Sequence, residues 1–442
     1  MIQTTLIRLP NPALVRSAFT TSYNLVRSRV HYSTATATAT ATASTAVQSS
    51  QGPSSAKTDD ATSISSSYKA PSPPNGVQVD GLIADIFPLP FKESFKHFLR
   101  RKKLEQIQDD LLSITPFYPE PSATHKAEII KTQVDSSGNY MNEFYICPKN
   151  ATEEDYANAK HLIFVHGYGA GLGFFVKNLE KIAEMNPDWH IHAIDLLGYG
   201  CSSRPSFPHR IPYDNNARVE KIFTDTLSEW FAQRGLDKTK NLVAAHSMGA
   251  YLSAVLNFTR PDLFQKLMMI SPGGIFESRK ISVPAWFAQL WNWNWSPFSV
   301  VRNVGPFGSM LVSGWTSRRW SKSVDILNIQ NQKKMHMYTY AIFSAKGSGE
   351  FMLNYLLGPG GVPRKPLMER IQNLNCDSTW IYGDRDWMDK TGGKLSCDIL
   401  KKKGLGADFR VLPNSGHHVY LDGFDTFNDL ITNEMNEFKE KF

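Results

Sequence analysis

Residues 241–257, NLVAAHSMGAYLSAVLN, constrain this chain more than any other stretch. Leu242, Val243, Ala244 and Ala245 form a short apolar run suited to a buried strand. From Tyr251 onward the apolar content is that of a packed helix, so Ser247 falls where strand becomes helix. A serine so placed is the signature of a nucleophile elbow, a strained turn that presents the hydroxyl. The residues two before and two after the serine must be small there, because strand and helix backbones come close. Here they are Ala245 and Gly249, and Ala245 departs from strict G-x-S-x-G by one methyl. A serine between small residues also occurs at ordinary strand-to-helix turns, so the reading depends on what accompanies it.

Apolar runs predict strands at 128–134, 140–147, 161–166, 190–195, 241–246, 266–271, 378–382 and 409–412. Helical periodicity falls at 174–185, 216–233, 249–258, 390–403 and 424–440. Strand alternating with helix from 161 onward means a mostly parallel sheet with helices on both faces.

Three loops beside that sheet carry chemistry. His166-Gly167-Tyr168-Gly169 ends a strand, and such a loop can aim a backbone N–H beside a nucleophile, which makes Tyr168 and Met248 the candidate oxyanion donors. Gly167, Gly169, Gly171 and Gly173 do not fit the dinucleotide fingerprint G-x-G-x-x-G. The Gly-rich turn DLLGYGCS at 195–202 is read as structure. At 383–389, GDRDWMD supplies acids at a strand's carboxyl end: Asp386 is best placed to orient an imidazole, with Asp389 as substitute. Three aspartates in seven residues also suggest calcium, but the loop lacks the further acid ligands such a site uses. Finally Gly416-His417-His418 follows the last strand, and His417 is the expected base, with His418 as the alternative. Such a relay uses no metal and no cofactor.

The flanking sequence addresses location. Residues 1–58 contain no Asp or Glu but include Arg8, Arg16, Arg27 and Arg29, the composition of a mitochondrial presequence, with cleavage expected near residue 32. Residues 33–78, with a Thr-Ala repeat and then Ser, Thr and Pro, read as a linker without large apolar side chains to offset ordering entropy. The net charge of +7 includes those four arginines, and the +3 that remains does not imply nucleic acid. Cys147, Cys201, Cys376 and Cys397 lack C-x-x-C spacing and are expected to be reduced structural thiols. Apolar residues between Phe91 and Leu112 recur at helical spacing among Lys92, Lys96 and 100–103 (RRKK), which fits a basic amphipathic helix, either for an anionic membrane surface or packed on the core. Residues 275–370 hold six of the ten tryptophans, Trp286, Trp291, Trp293, Trp295, Trp315 and Trp320, as expected of a helical lid, a lipid-facing surface, or both.

HGYGAG at 166–171, AHSMGAY at 245–251, YGDRDWMD at 382–389 and GHHVYLD at 416–422 carry Ser, Asp and His in the chain order of α/β hydrolases. Together they resemble the lysophospholipase, phospholipase and acyltransferase branch of that fold over about 80–440. With the presequence, the resemblance is strongest to fungal mitochondrial cardiolipin-specific deacylases. It implies an α/β-hydrolase fold of eight strands, with core segments 79–274 and 371–442 and a Trp-rich lid, 275–370, after the sixth strand. It further implies a Ser247–His417–Asp386 triad and an H-x4-D acyltransferase-type box of His417 and Asp422, although Asp422 also suits a cap for the last helix. The implied function is removal of an acyl chain from cardiolipin or another phospholipid, giving monolysocardiolipin for remodelling, with peripheral contact at the anionic matrix face of the inner membrane. The alternatives are a lysophospholipid acyltransferase, a non-catalytic lipid-binding coactivator, which the presence of Ser247 disfavours, and a peptidase.

Overall fold

A computed structural model describes residues 89–207, 215–276, 283–320, 329–359 and 361–442. The expected presequence (1–32) and linker (33–78) lie outside the described residues. Eight strands form one sheet: β1 (His125–Gln133), β2 (Tyr140–Pro148), β3 (Lys160–Val165), β4 (His190–Ile194), β5 (Lys240–His246), β6 (Lys266–Ile270), β7 (Asp377–Gly383) and β8 (Ala407–Leu412). Their order is β1-β2-β4-β3-β5-β6-β7-β8. β2 pairs antiparallel with β1 and β4, and the pairs from β4 through β8 are parallel. All eight strands match the expected positions within a few residues. The order reverses between β3 and β5, the switch point where open α/β sheets bind ligands at their carboxyl ends.

The principal helices are α1 (Phe91–Arg100), α2 (Leu104–Leu112), α3 (Val176–Met185), α4 (Asn216–Gln233), α5 (Met248–Thr259), α6 (Ala285–Asn292), α7 (Pro297–Asn303), α8 (Gly308–Trp320), α9 (Ile329–Ser344), α10 (Lys390–Lys402) and α11 (Phe424–Lys441). Side chains alternate across each strand, so the sheet has a core on either face. Leu162, Phe164, Leu242 and Ala244 pack with α2, α3, α9 and α11. Ile163, Val165, Val243 and Ala245 pack with α4, α5 and α10. Cutting one of these large side chains to Ala costs roughly 2–5 kcal/mol. Cys147, Cys201, Cys376 and Cys397 are free and buried, as expected of structural thiols.

One expectation needs correction. The 91–112 pattern forms two helices rather than one, because its halves serve different neighbours. Ile107, Leu111 and Leu112 of α2 are buried in the core. α1 instead turns Ser94 and His97 toward the inserted helices, Ser94 Oγ donating to Pro306 O and His97 Nδ1 lying 2.8 Å from Ser309 Oγ. Lys103, at φ −91° and ψ 53°, breaks the helix between them. The insertion after β6 is helical, and its last long helix joins the core: Met335, Tyr338, Tyr340 and Ala341 of α9 cluster with residues of α2. Its tryptophans also divide. Trp291 donates Nε1–H to Leu357 O at 3.1 Å and is structural, whereas Trp286, Trp293, Trp295 and Trp315 are exposed. Among the described residues no helix is long and apolar enough to cross a membrane.

Candidate active site

Ser247 directly follows β5 at φ 53° and ψ −113°, a conformation an L-residue adopts only when its surroundings impose it. They do so through hydrogen bonds: Ser247 N donates to Ile270 O at 2.9 Å, and Ser247 O accepts from Tyr251 N and Gly273 N, each at 3.2 Å. The demand for a small residue at 249 is literal, since a Cβ there would lie 2.4 Å from His166 O and 2.9 Å from Val165 O on β3. The extra methyl of Ala245 is absorbed into the core.

His417 Nε2 lies 3.0 Å from Ser247 Oγ, and His417 Nδ1 lies 3.1 Å from Asp386 Oδ1. A carboxylate can only accept, so Nδ1–H donates to Asp386 and Nε2 is left to accept the serine proton. Burial of Asp386 pushes its carboxyl up, but the hydrogen bond and charge of His417, with the Met388 N–H at 3.1 Å, outweigh it and hold the group below the usual carboxylate range.

The aspartates at 384–389 have separate tasks. Asp389 caps α10, accepting Thr391 N–H at 2.9 Å. Asp384 accepts Ser415 N–H at 2.9 Å while Arg385 N donates to Ser415 O at 2.9 Å, which ties the acid loop to the histidine loop. Among the described residues no group of three or more His, Cys, Asp or Glu is placed to hold a metal. His418 turns to Phe174, His246 and Tyr420, with ring centroids 6.3, 4.9 and 5.7 Å away. Asp422 does not cap α11, whose first turn follows Gly423. It accepts Gly416 N–H at 2.8 Å and so clamps the residue before His417.

Some contributors are invisible in the motif pattern. His246 Nε2–H donates to His417 O at 2.9 Å, so the residue before the nucleophile fixes the backbone of its base. His166 is buried and neutral, because burial pushes its imidazole down. Its Nδ1–H donates to Gly167 O at 2.7 Å while its Nε2 accepts Leu196 N–H at 3.0 Å. The 167–168 peptide is trans, so holding the Gly167 carbonyl toward His166 points the Tyr168 N–H away from it. Met248 is the first residue of α5, where an N–H has no acceptor in its own helix. The 195–202 turn is structural, as expected: buried Asp195 accepts from Leu172 N at 2.7 Å, Cys201 N at 2.8 Å and Asn142 Nδ2 at 2.9 Å.

Ser247, His417, Tyr168 and Met248 line one cavity of about 190 Å³, with Leu353, Leu356, Leu357 and Met388 among its apolar walls. Trp387 stands at this cavity with its ring 5.0 Å from that of His417 and 67% of its surface exposed.

Residues 160–424 match the profile of the alpha/beta hydrolase fold, and the chain belongs to that family. Within it, the similar proteins include ones named as lipid acyltransferases and a lipase. A rice protein (Oryza sativa subsp. japonica) named as a probable 1-acylglycerol-3-phosphate O-acyltransferase is 30% identical over 302 residues, covering 64% of this chain and 68% of that one. The human (lyso)-N-acylphosphatidylethanolamine lipase is 27% identical over 279 residues, 61% of this chain and 77% of its own. Among solved structures, a Bacillus subtilis protein described as a hydrolase superposes with a TM-score of 0.50 at 14% identity, covering 76% of this chain and 99% of that one, a likeness of fold alone.

Proposed function

We propose that this chain is a serine-dependent phospholipid deacylase that takes cardiolipin to monolysocardiolipin. The observation that carries the reading is the hydrogen-bonded series Ser247–His417–Asp386 opening on an apolar cavity. The names of the relatives support lipid acyl chemistry, and the resemblance of the motifs together with the Arg-rich amino-terminal segment supports the mitochondrial lipid. At about 190 Å³ the cavity is smaller than a site for a whole drug-sized ligand, which suits the carbonyl end of one acyl chain while the rest of the lipid stays outside.

In the proposed reaction Ser247 Oγ attacks the ester carbonyl as His417 Nε2 takes its proton. Asp386 keeps Nδ1–H in place and stabilises the imidazolium, and the N–H groups of Tyr168 and Met248 face the developing oxyanion. Collapse breaks the bond to the glycerol oxygen, which leaves with the proton from His417. A water then gives its proton to His417, attacks the acyl-serine and releases the fatty acid, and Ser247 regains its proton. Removing one oxyanion donor in such a site costs about 3–4 kcal/mol of barrier. The protein acts as a peripheral enzyme on the matrix face of the inner membrane, after loss of residues 1–32.

The second reading is an acyltransferase, in which a lysophospholipid hydroxyl replaces the water. The name of the rice relative favours it, and both readings share the acyl-enzyme. The test supplies the purified protein with cardiolipin vesicles, with and without lysophosphatidic acid. Free fatty acid and monolysocardiolipin in equal amounts support the deacylase. Acyl chains recovered only in phosphatidic acid make it a transferase, and turnover of other phospholipids but not cardiolipin removes the head-group assignment.

A further inference from the structure

α1 is amphipathic in the reverse of the usual sense: its polar stripe, Ser94 and His97, faces the protein, and three of its four large apolar residues, Phe91, Phe95 and Leu99, face outward. Phe91, Phe95 and Leu99 are 49%, 43% and 64% exposed. Four-residue spacing places them in one line along the helix. Phe307 and Leu311 from the insertion extend the patch, with the Phe91 and Phe307 rings 5.0 Å apart. A soluble helix packed on a core shows the opposite arrangement.

The same helix ends at a basic cleft. Between Arg100 and Leu104 the helix breaks, and Arg101, Lys102 and Lys103 line a cleft of about 650 Å³ together with Arg204 and Lys346. The carboxylate among its lining residues, Glu105, already pairs with Lys131 at 2.6 Å. Arg204 is anchored through Gly200 O and Lys346 O at 3.1 and 2.9 Å, and among the described residues its buried Nε–H has no acceptor. An apolar line ending at a cationic cleft matches the cross-section of a bilayer surface, with acyl chains beneath anionic head groups.

We propose that α1, the 101–103 elbow and the adjoining surface of the insertion form a docking site for the phosphodiester head groups of anionic phospholipids in a bilayer. Phe91, Phe95, Leu99 and Phe307 enter the acyl boundary, and the 101–103 cleft with Arg204 and Lys346 takes a lipid phosphate. The site rests on the phospholipid reading for its meaning but not for its measurement. Tyr199, next in the chain to the cleft residue Gly200, contacts Met248 through its hydroxyl, so the cleft and the cavity of Ser247 share one loop.

The experiment is vesicle co-sedimentation of the full chain carrying Ser247→Ala, so that binding is read without turnover. Phosphatidylcholine vesicles are compared with vesicles containing phosphatidylglycerol. Lys102→Glu with Lys103→Glu is expected to weaken binding to the anionic vesicles by about tenfold or more at low salt and to leave the neutral ones unaffected. The same charge change at Lys238 and Lys240, at the opposite ends of the strands, is expected to do far less. Phe91→Ala, Phe95→Ala and Leu99→Ala together are expected to lower binding to both vesicles by about tenfold, with the melting temperature preserved. Equal losses for the two lysine pairs, or full binding by the triple variant, overturn the proposal. Protection of Lys102 and Lys103 from acylation by inorganic phosphate but not by vesicles would make the cleft a free-phosphate site and overturn it too. If docking holds while no phospholipid is cleaved by the native Ser247 protein, the proposed function fails and the dock stands.

Discussion

Asp422 separates two accounts of the H-x4-D segment. In the structure its carboxylate accepts Gly416 N–H at 2.8 Å, next to His417, which makes it a positioning residue. A hydrogen bond to a charged acceptor contributes about 1.5–3 kcal/mol. If that energy holds the loop in its working position, Asp422→Ala lowers kcat by about 10- to 100-fold. Asp422→Asn keeps an acceptor oxygen and loses the charge, so it is expected to recover part of the loss. KM is expected to stay within about twofold, because Asp422 is not among the residues that line the cavity. The assay is release of fatty acid from phospholipid micelles and, in parallel, acyl transfer to a lysophospholipid. Both half-reactions use His417, so both rates are expected to fall by one factor. Loss of transfer with hydrolysis untouched would mean that Asp422 acts on the acceptor, and the clamp would be wrong.

Ser247→Ala and His417→Ala are each expected to lower the rate by about 10⁴- to 10⁶-fold without unfolding the chain, while His418→Ala stays active, and an inactive His418→Ala beside an active His417→Ala reverses the assignment. Asp386→Asn is expected to cost about 10⁴-fold, whereas Asp389→Asn, a change at a helix cap, is expected to be mild, with kcat and the melting temperature as readouts. Gly249→Ala is expected to destabilise the fold and abolish activity, because its Cβ would meet the His166 carbonyl at 2.4 Å, and a stable active variant would show that β3 and α5 can part. Burial, with help from neighbouring histidines, pushes the imidazoles of His161, His190 and His336 down to about 2, about 4 and about 3. In the unfolded chain they titrate near 6.5, so below that pH the unfolded state binds protons that the native state does not. Stability is therefore full above about pH 6.5 and falls as pH drops, by up to about 1.4 kcal/mol per pH unit for each histidine, until the native values are reached. A melting temperature that is flat from pH 7 to 5 would contradict this.

The sheet was legible because five parallel strands, β3 to β7, are buried on both faces and must be nearly continuous apolar runs, and runs such as HLIFV and NLVAA have few other uses. The elbow was legible because close backbone approach excludes large residues at 249. The sequence favoured Asp386 over Asp389 by position alone, since the choice depends on which carboxylate the start of α10 claims as its cap. The break at 101–103 was hidden for a similar reason: apolar spacing records that residues are covered, not which neighbour covers them. Phe91 and Ile107 fit one helical pattern, yet Phe91 stays half exposed and Ile107 is core. His166 and His246 act through backbone carbonyls and leave no pattern at all.

Trapping the acyl-serine tests the central claim most directly. The full chain is treated with a fluorophosphonate carrying an alkyl chain, digested, and mapped by mass spectrometry. One adduct is expected, on Ser247, formed at a rate that falls sharply in His417→Ala. A folded protein that takes no label, or takes it on a residue other than Ser247, would contradict the proposed mechanism.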